Sequence, residues 1–329
     1  MSSFRTVFPT FKANFEINHQ DQTLLLGSCF AAHIGNRLNR LKFPSLLNPF
    51  GILYSPISIL EGFKWLNSAD YFSENDLFQH QGLWHSFQHH GQFSHPNKEH
   101  TLSQINEALK EAKILLKKSN RLILTFGTAH VFRYRKTGNV VANCHKLSGQ
   151  DFERKRLSLE EVSAALFQIF ELVRSINPEL KIILTVSPVR HIRDGLVENQ
   201  KSKATLLLAI EKLAQAQPDA VFYFPSYEII LDDLRDYRFY KEDLIHPNDT
   251  AVDYIWSYFE NAFFNEKTQI LAQKIEKIRN AVAHRPLHPE SVPHQTFIKN
   301  QLLRIEALQL ENSFLDFSEE LDKLKKPIR

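Results

Sequence analysis

Thr23-Leu24-Leu25-Leu26-Gly27-Ser28-Cys29-Phe30-Ala31 is the stretch whose reading decides the fold. An apolar run ends at a glycine, a hydroxyl and a thiol follow, and the amphipathic segment His33-Ile34-Gly35-Asn36-Arg37-Leu38 comes next. That order reads as a buried strand, a tight turn and a helix. A side chain on such a turn is expected to stand exposed at the carboxyl end of a parallel sheet, where α/β proteins place ligands. The helix start behind it offers free N–H groups and a positive dipole end, so a nucleophile there has oxyanion donors close by.

Working outward, the same pattern recurs. Residues 121–126, 181–186 and 220–224 are short apolar runs, each stopped by Gly, Ser-Pro or Pro, and they read as buried strands. Helices are expected over 30–41, 57–66, 101–118, 158–176, 199–216 and 248–263, with Thr101 or Ser103 capping the third and Ser158-Leu-Glu-Glu161 forming a capping box on the fourth. Residues 44–56 read as loop with a short strand, and 70–100 as irregular. Continuous apolar strands alternating with helices imply a parallel sheet covered on both faces, a three-layer α/β/α architecture. Gly27-Ser28, Gly127-Thr128, Ser187-Pro188 and Pro225-Ser226 then share one edge of that sheet. The expected domain runs over 1–265 with an insertion at about 53–118, and 266–329 forms a charged, helical C-terminal extension packed on the core.

Composition narrows the function. The chain has 329 residues and a dispersed net charge of +3, which leaves no nucleic-acid footprint. No window is apolar and long enough for a membrane span. The N-terminal stretch lacks the apolar centre of a signal peptide, so a cytoplasmic location is the default expectation. Two cysteines, Cys29 and Cys144, make no disulfide framework.

Ser28 needs a base to act as a nucleophile. Asp243-Leu-Ile-His246-Pro247 supplies one: a carboxylate three residues before an imidazole can reach its Nδ1–H, fix the tautomer and leave Nε2 free for the serine proton. Pro247 keeps His246 out of helical geometry and suits the first turn of the helix that follows.

The small-residue Gly-Ser turn and the late Asp-x-x-His resemble the first and last blocks of SGNH (GDSL-type) hydrolases. The Gly27-Ser-Cys-Phe-Ala31 string resembles the GSCFA domain family of that superfamily. So do Asn48-Pro-Phe-Gly-Ile-Leu-Tyr-Ser-Pro56, Phe126-Gly-Thr-Ala-His130, Asn143-Cys-His145, Val186-Ser-Pro-Val-Arg-His191 and Asp236-Tyr-Arg-Phe-Tyr-Lys-Glu-Asp-Leu-Ile-His-Pro247. The resemblance spans about residues 20–265 and implies a flavodoxin-like α/β/α fold with no cofactor and no metal. It implies a serine esterase or acyltransferase with Ser28 as nucleophile, His246 as base and Asp243 as its orienter. The N–H groups of Ser28 and Gly51 would hold the oxyanion. The third superfamily block is usually Gly-x-Asn, whereas Gly127-Thr-Ala129 has alanine in that place. Losing such a donor typically costs on the order of a hundredfold in rate. Thr128, Asn48 and Asn143 are the candidate replacements.

Several rival readings remain at this level. Cys29 sits at the same helix start, with His33 one turn on, but a small apolar residue turned into the core is the plainer expectation. Six histidines between 80 and 100 invite a metal, yet no Cys or carboxylate completes a ligand spacing, and a loop or lid over the cleft fits better, with Trp84, Phe87 and Phe93 burying aromatic area. His145 and Arg190 follow strand ends and are candidates to face the substrate, Arg190 by holding an anionic group. The expected partner is a small-molecule or glycan ester, and the amphipathic tail suits a homodimer. The alternative from another class is a non-catalytic ligand-binding module on a hydrolase fold.

Overall fold

The computed structural model describes residues 5–284 and 286–325. In chain order the first elements are β1 (Thr23–Gly27), α1 (Cys29–Arg40), β2 (Ser45–Leu47) and α2 (Pro56–Asn67). A hairpin follows, β3 (Phe78–His80) and β4 (Leu83–His85), then α3 (Lys98–Lys118) and β5 (Arg121–Phe126). Next come β6 (His130–Tyr134), β7 (Val140–Val141), β8 (Phe152–Arg156), α4 (Leu159–Ile176), β9 (Lys181–Val186), α5 (Leu196–Ala216) and β10 (Val221–Tyr223). The single turn α6 (Ser226–Glu228) runs into a π-helical stretch, and α7 (Asp249–Phe263) closes the sheet domain. Three further helices complete the described chain: α8 (Glu266–Ala283), α9 (Val292–Glu311) and α10 (Ser318–Lys325).

The central sheet has the order β10-β9-β5-β1-β2, with every pairing parallel. Counted among themselves in chain order these strands stand 2-1-3-4-5, the flavodoxin-like arrangement. Alternation along each strand builds two cores. Leu24, Leu26, Leu122, Leu124, Leu184 and Val186 meet α2, α3, α4 and α5 on one face. Leu25, Ile123 and Ile183 meet α1 and α7 on the other, through Phe30, Ile34, Leu38, Ile255 and Phe259. Helices on both faces explain why the strands carry almost no polar residues.

The α/β/α reading therefore holds. The capping box of α4 is present, with both reciprocal Ser158 and Glu161 bonds made. Two segments differ from expectation. Residues 70–100 contain the β3–β4 hairpin, and α3 begins earlier, capped by Asn97 and not by Thr101 or Ser103. Residues 130–156 form an antiparallel sheet, β7-β6-β8, whose charged, half-buried strands lack the apolar runs that mark the central sheet. The C-terminal helices enclose a separate small core of Ile275, Ile278, Ile305, Leu308, Leu315 and Phe317. Buried Glu320 accepts from Arg279 of α8 at 2.9 Å and ties that core back to the sheet domain by accepting from Lys42 at 2.8 Å.

Gly27 ends β1 with φ of +145°, and a Cβ placed there would lie 2.2 Å from the Thr125 carbonyl oxygen. A side chain at this point would push β1 off β5. Gly27→Ala is expected to cost about 3 kcal/mol in urea unfolding, whereas Gly91→Ala, whose added Cβ meets nothing within 4 Å, is expected to change little.

Candidate functional site

The order 2-1-3 places the topological switch point between β1 and β5, the place where open α/β sheets bind ligands. Gly27 N–H donates to Asn48 Oδ1 at 2.9 Å, and Leu53 N–H donates to the Gly27 carbonyl at 3.0 Å. Gly127 N–H and Thr128 N–H both donate to the Tyr54 carbonyl. The loop after β2 is thus stitched to the ends of both β1 and β5.

At the turn itself the structure corrects the expectation for Ser28. The residue is 0 % exposed, its N–H donates to Thr125 O at 3.0 Å, and its Oγ accepts from Phe30 N–H at 3.3 Å as the N-cap of α1. A hydroxyl expected to be exposed is instead buried and engaged in starting the helix. Its neighbour differs from expectation in the opposite sense. Cys29, the first residue of α1, is half-buried and not part of either core cluster. Among the described residues its N–H donates to no oxygen or nitrogen. Burial pushes the thiol up, while the N–H groups of Cys29 and Phe30 and the charges of Lys203 and Lys241 favour the thiolate.

Asp243 and His246 meet as expected. Asp243 Oδ1 accepts from the N–H groups of Ile245 and His246, and Oδ2 accepts from His246 Nδ1 at 2.7 Å. The turn closes because Leu244 takes a positive φ of 57°. Those bonds, His246 N–H first, hold the exposed carboxylate down to about 2. Pro247 is buried and bridges to Tyr240, and Asn248 caps α7, so the imidazole stands on a fixed support. With Nδ1 engaged, Nε2 is the free nitrogen.

The helix phase turns Cys29 and His33, four residues apart, to one face of α1. Lys241 acts electrostatically on both, and His246 acts on His33 and on His191. The His191 ring lies edge-on to Tyr54 with centroids 5.4 Å apart, and Tyr54 in turn senses Cys29. Among the described residues, neither Ser28 Oγ nor Cys29 Sγ is hydrogen-bonded to His246.

The remaining expected residues divide. Gly51 N–H donates to Asn48 O at 2.7 Å, and the Ser28 N–H to Thr125 O at 3.0 Å, so both donors expected for the oxyanion have backbone partners. The Thr128 hydroxyl is consumed by Ser202 and His130. Asn143 closes its own turn by accepting from His145 N–H. His145 Nε2 lies 2.8 Å from Ser86 O, and its ring packs on Phe78 and His85 of the β3–β4 hairpin. The Arg190 N–H donates to Ile245 O in the turn that holds Asp243 and His246, while its guanidinium stacks on Tyr240 and Tyr237 and donates to the Tyr240 hydroxyl. Asn48 is buried, with Oδ1 accepting from Gly27 N–H at 2.9 Å, and among the described residues Nδ2 donates to no partner. The histidine-rich segment packs on itself, with buried His89 between Phe50, Phe72 and Phe93. Among the described residues no three of His, Cys, Asp and Glu converge as metal ligands.

Two residues escape sequence reasoning. His191 Nε2 is buried without a partner and faces Gly127. Lys203 is buried on α5, its Nζ donating to Gly127 O and Ser187 O. His191 closes one of the stretches quoted above, whereas nothing near Lys203 in the sequence marks it.

The chain belongs to the GSCFA family, whose pattern it matches over residues 22–259, and residues 275–329 match the C-terminal domain of GSCFA domain proteins. No curated protein matches it. Solved structures similar to it include a carbohydrate esterase family 3 from Talaromyces cellulolyticus, at 7 % identity and TM-score 0.38, covering 78 % of this chain and 99 % of that one. Another is a putative platelet activating factor from Streptococcus pneumonia, at 10 % identity and TM-score 0.39, covering 75 % and 86 %. A third is an acetyl xylan esterase from the rumen bacterium Butyrivibrio proteoclasticus, at 9 % and 0.33, covering 82 % and 66 %. Likeness at this level carries no chemistry across. No helix of the described residues is long and apolar enough to cross a membrane.

The buried imidazoles set a pH dependence. Burial lowers His89 and His191 to about 3 and His19 and His145 to about 4. The unfolded chain protonates these rings near 6.5, so stability is complete above that pH and falls as pH drops toward 4. The expected loss is about 1 kcal/mol per pH unit for each deeply buried ring, read by urea unfolding at pH 7.5 and 5.0. His89→Phe, which keeps a ring in its aromatic nest, is expected to flatten that slope.

Proposed function

We propose that the protein is an acyl hydrolase or acyl transferase acting on an ester-linked acyl group of a small molecule or glycan, with Cys29 as nucleophile, His246 as base and Asp243 as the group that orients it. The observation that carries this reading is the division at the turn: Ser28 is buried as a cap, and the next side chain, a half-buried thiol, opens α1. In the first half-reaction the sulfur attacks the ester carbonyl as His246 Nε2 takes the thiol proton. The oxyanion is received by Cys29 N–H and Asn48 Nδ2, which stands in for the missing asparagine of the third block. Collapse breaks the carbon–oxygen bond, the leaving alkoxide takes the proton from His246, and the acyl group rests on sulfur. Water or an acceptor hydroxyl, deprotonated by the same imidazole, then releases it. His246 closes on the sulfur when substrate is held, since such contacts commonly tighten in the complex.

A binding module that turns nothing over is the second reading, and the absence of a hydrogen bond between His246 and Cys29 favours it. Incubation with p-nitrophenyl acetate followed by peptide mass mapping separates the two. An acetyl group on Cys29, absent in Cys29→Ala and formed on the order of a thousandfold more slowly in His246→Ala, is the expected result. Ser28→Ala should still be acetylated at Cys29 while losing about 1 kcal/mol of stability from its cap. An acetyl group on Ser28 would overturn the thiol assignment, and no acetylation at all would leave the binding module.

A further inference from the structure

Arg190 stands in the loop that follows β9, and backbone bonds join that loop to the turn of Asp243 and His246. Its N–H donates to Ile245 O at 3.3 Å, Lys241 N–H donates to His246 O at 2.8 Å, and Tyr240 bridges to Pro247. The guanidinium carbon lies 4.3 Å from the centre of the Tyr240 ring and 5.4 Å from that of Tyr237, and Nη2 donates to the Tyr240 hydroxyl at 3.2 Å. Two aromatic rings thus hold a cation on the ladder that carries the imidazole. A guanidinium has five N–H donors in a flat fork. Arg37, Arg40 and Arg154 each spend theirs on a carboxylate. Among the described residues no carboxylate pairs with Arg190, and the two tyrosines are its polar side-chain partners.

A cleft of about 370 Å³ opens on this group, with buried Ile230 and Leu234 in its lining. Ile230 belongs to the π-helical stretch Ile229–Asp233, a geometry found mostly at functional sites. Of the charged groups around the cleft, Asp236 is engaged by Arg238. That leaves two guanidinium groups, Arg190 and Arg235, against one carboxylate, Asp232. Tyr237 is 63 % exposed, so the aromatic wall of the cleft is open to solvent.

We infer that Arg190 is the specificity-determining residue of an anion subsite next to the His246 turn, and that the ester substrate carries a carboxylate or phosphate group. A flat fork with donors to spare suits two oxygens of such a group in a bidentate pair. A neutral ester would leave the fork unmatched, and a lysine in its place would supply charge without the planar geometry. The subsite rests on the contacts of Arg190; that the bound molecule is an ester rests on the acyl-transfer reading.

The first arm of the test reads binding without turnover. The full chain, labelled with ¹⁵N, is titrated with benzoate, with phenyl phosphate and with neutral benzamide, and the backbone amide signals of Tyr237 and Tyr240 are followed. One or both anions should move these signals to saturation, and benzamide should not; which anion binds more tightly tells carboxylate from phosphate. Arg190→Gln is expected to weaken the preferred anion about tenfold, the loss of a charged hydrogen-bonded partner. Arg190→Lys should fall between the two, and it decides alone if Arg190→Gln does not fold. The backbone bond from residue 190 to Ile245 O is open to either variant, so the His246 turn keeps that support. The second arm compares kcat/KM for phenyl acetate with that for its 3-carboxy and 3-phosphate derivatives. The anionic-to-neutral ratio should drop about tenfold in Arg190→Gln. Amide signals that no anion moves, or anion affinities unchanged in the folded variants, overturn the inference even if esters are cleaved. Anion binding that depends on Arg190, with no ester cleaved and no acetyl group on Cys29, would instead overturn the acyl-transfer reading and leave the subsite standing.

Discussion

The contact on which the site depends is the parallel pairing of Gly27 with Thr125 at the ends of β1 and β5. It brings two backbones close enough that no Cβ fits between them. The Thr125 carbonyl, left over at the end of the ladder, takes the Ser28 N–H and sets the angle at which α1 leaves the sheet. Every later feature of the site follows from that angle. It decides which side chain of the turn is buried and which is left half-buried at the start of α1.

That geometry assigns a hydroxyl and a thiol, adjacent in sequence, to different tasks. Ser28 satisfies one of the N–H groups that any helix leaves unpaired at its start. Cys29 is then the first residue in helical register, beside a free N–H and the positive end of the helix. The capping geometry that buries one side chain leaves the next half-buried. The turn at 243–246 is built on a similar economy of parts, since one carboxylate closes the backbone turn and orients the ring within it.

At the carboxyl ends of β5 and β9 lie groups that burial pushes away from their usual charge states. His191 is held neutral, with one nitrogen unpartnered. Lys203 donates from Nζ to Gly127 O and Ser187 O, and burial pushes it down to about 7. Both sit just beyond the carboxyl ends of β5 and β9, where ladder carbonyls run out of partners. Polar groups collect there because the strand ends leave acceptors that need donors.

What could be read along the chain was what arises between near neighbours. Apolar runs marked the central strands, Ser158 and Glu161 marked a helix start, and Asp243 and His246 were paired by a spacing of three residues. The antiparallel strands 130–134 and 152–156 escaped because their charged residues give no apolar alternation. The burial of Ser28 beside a half-buried Cys29, the occupation of the Gly51 N–H by Asn48, the hold of Asn48 Oδ1 on the Gly27 N–H, and the approach of Lys203 and His191 to Gly127 were decided by the folded chain. Each depends on which way a side chain or N–H points once strands distant in sequence are paired. Local spacing determines a contact across one turn of backbone; it leaves undetermined which of two adjacent side chains the packed sheet will bury.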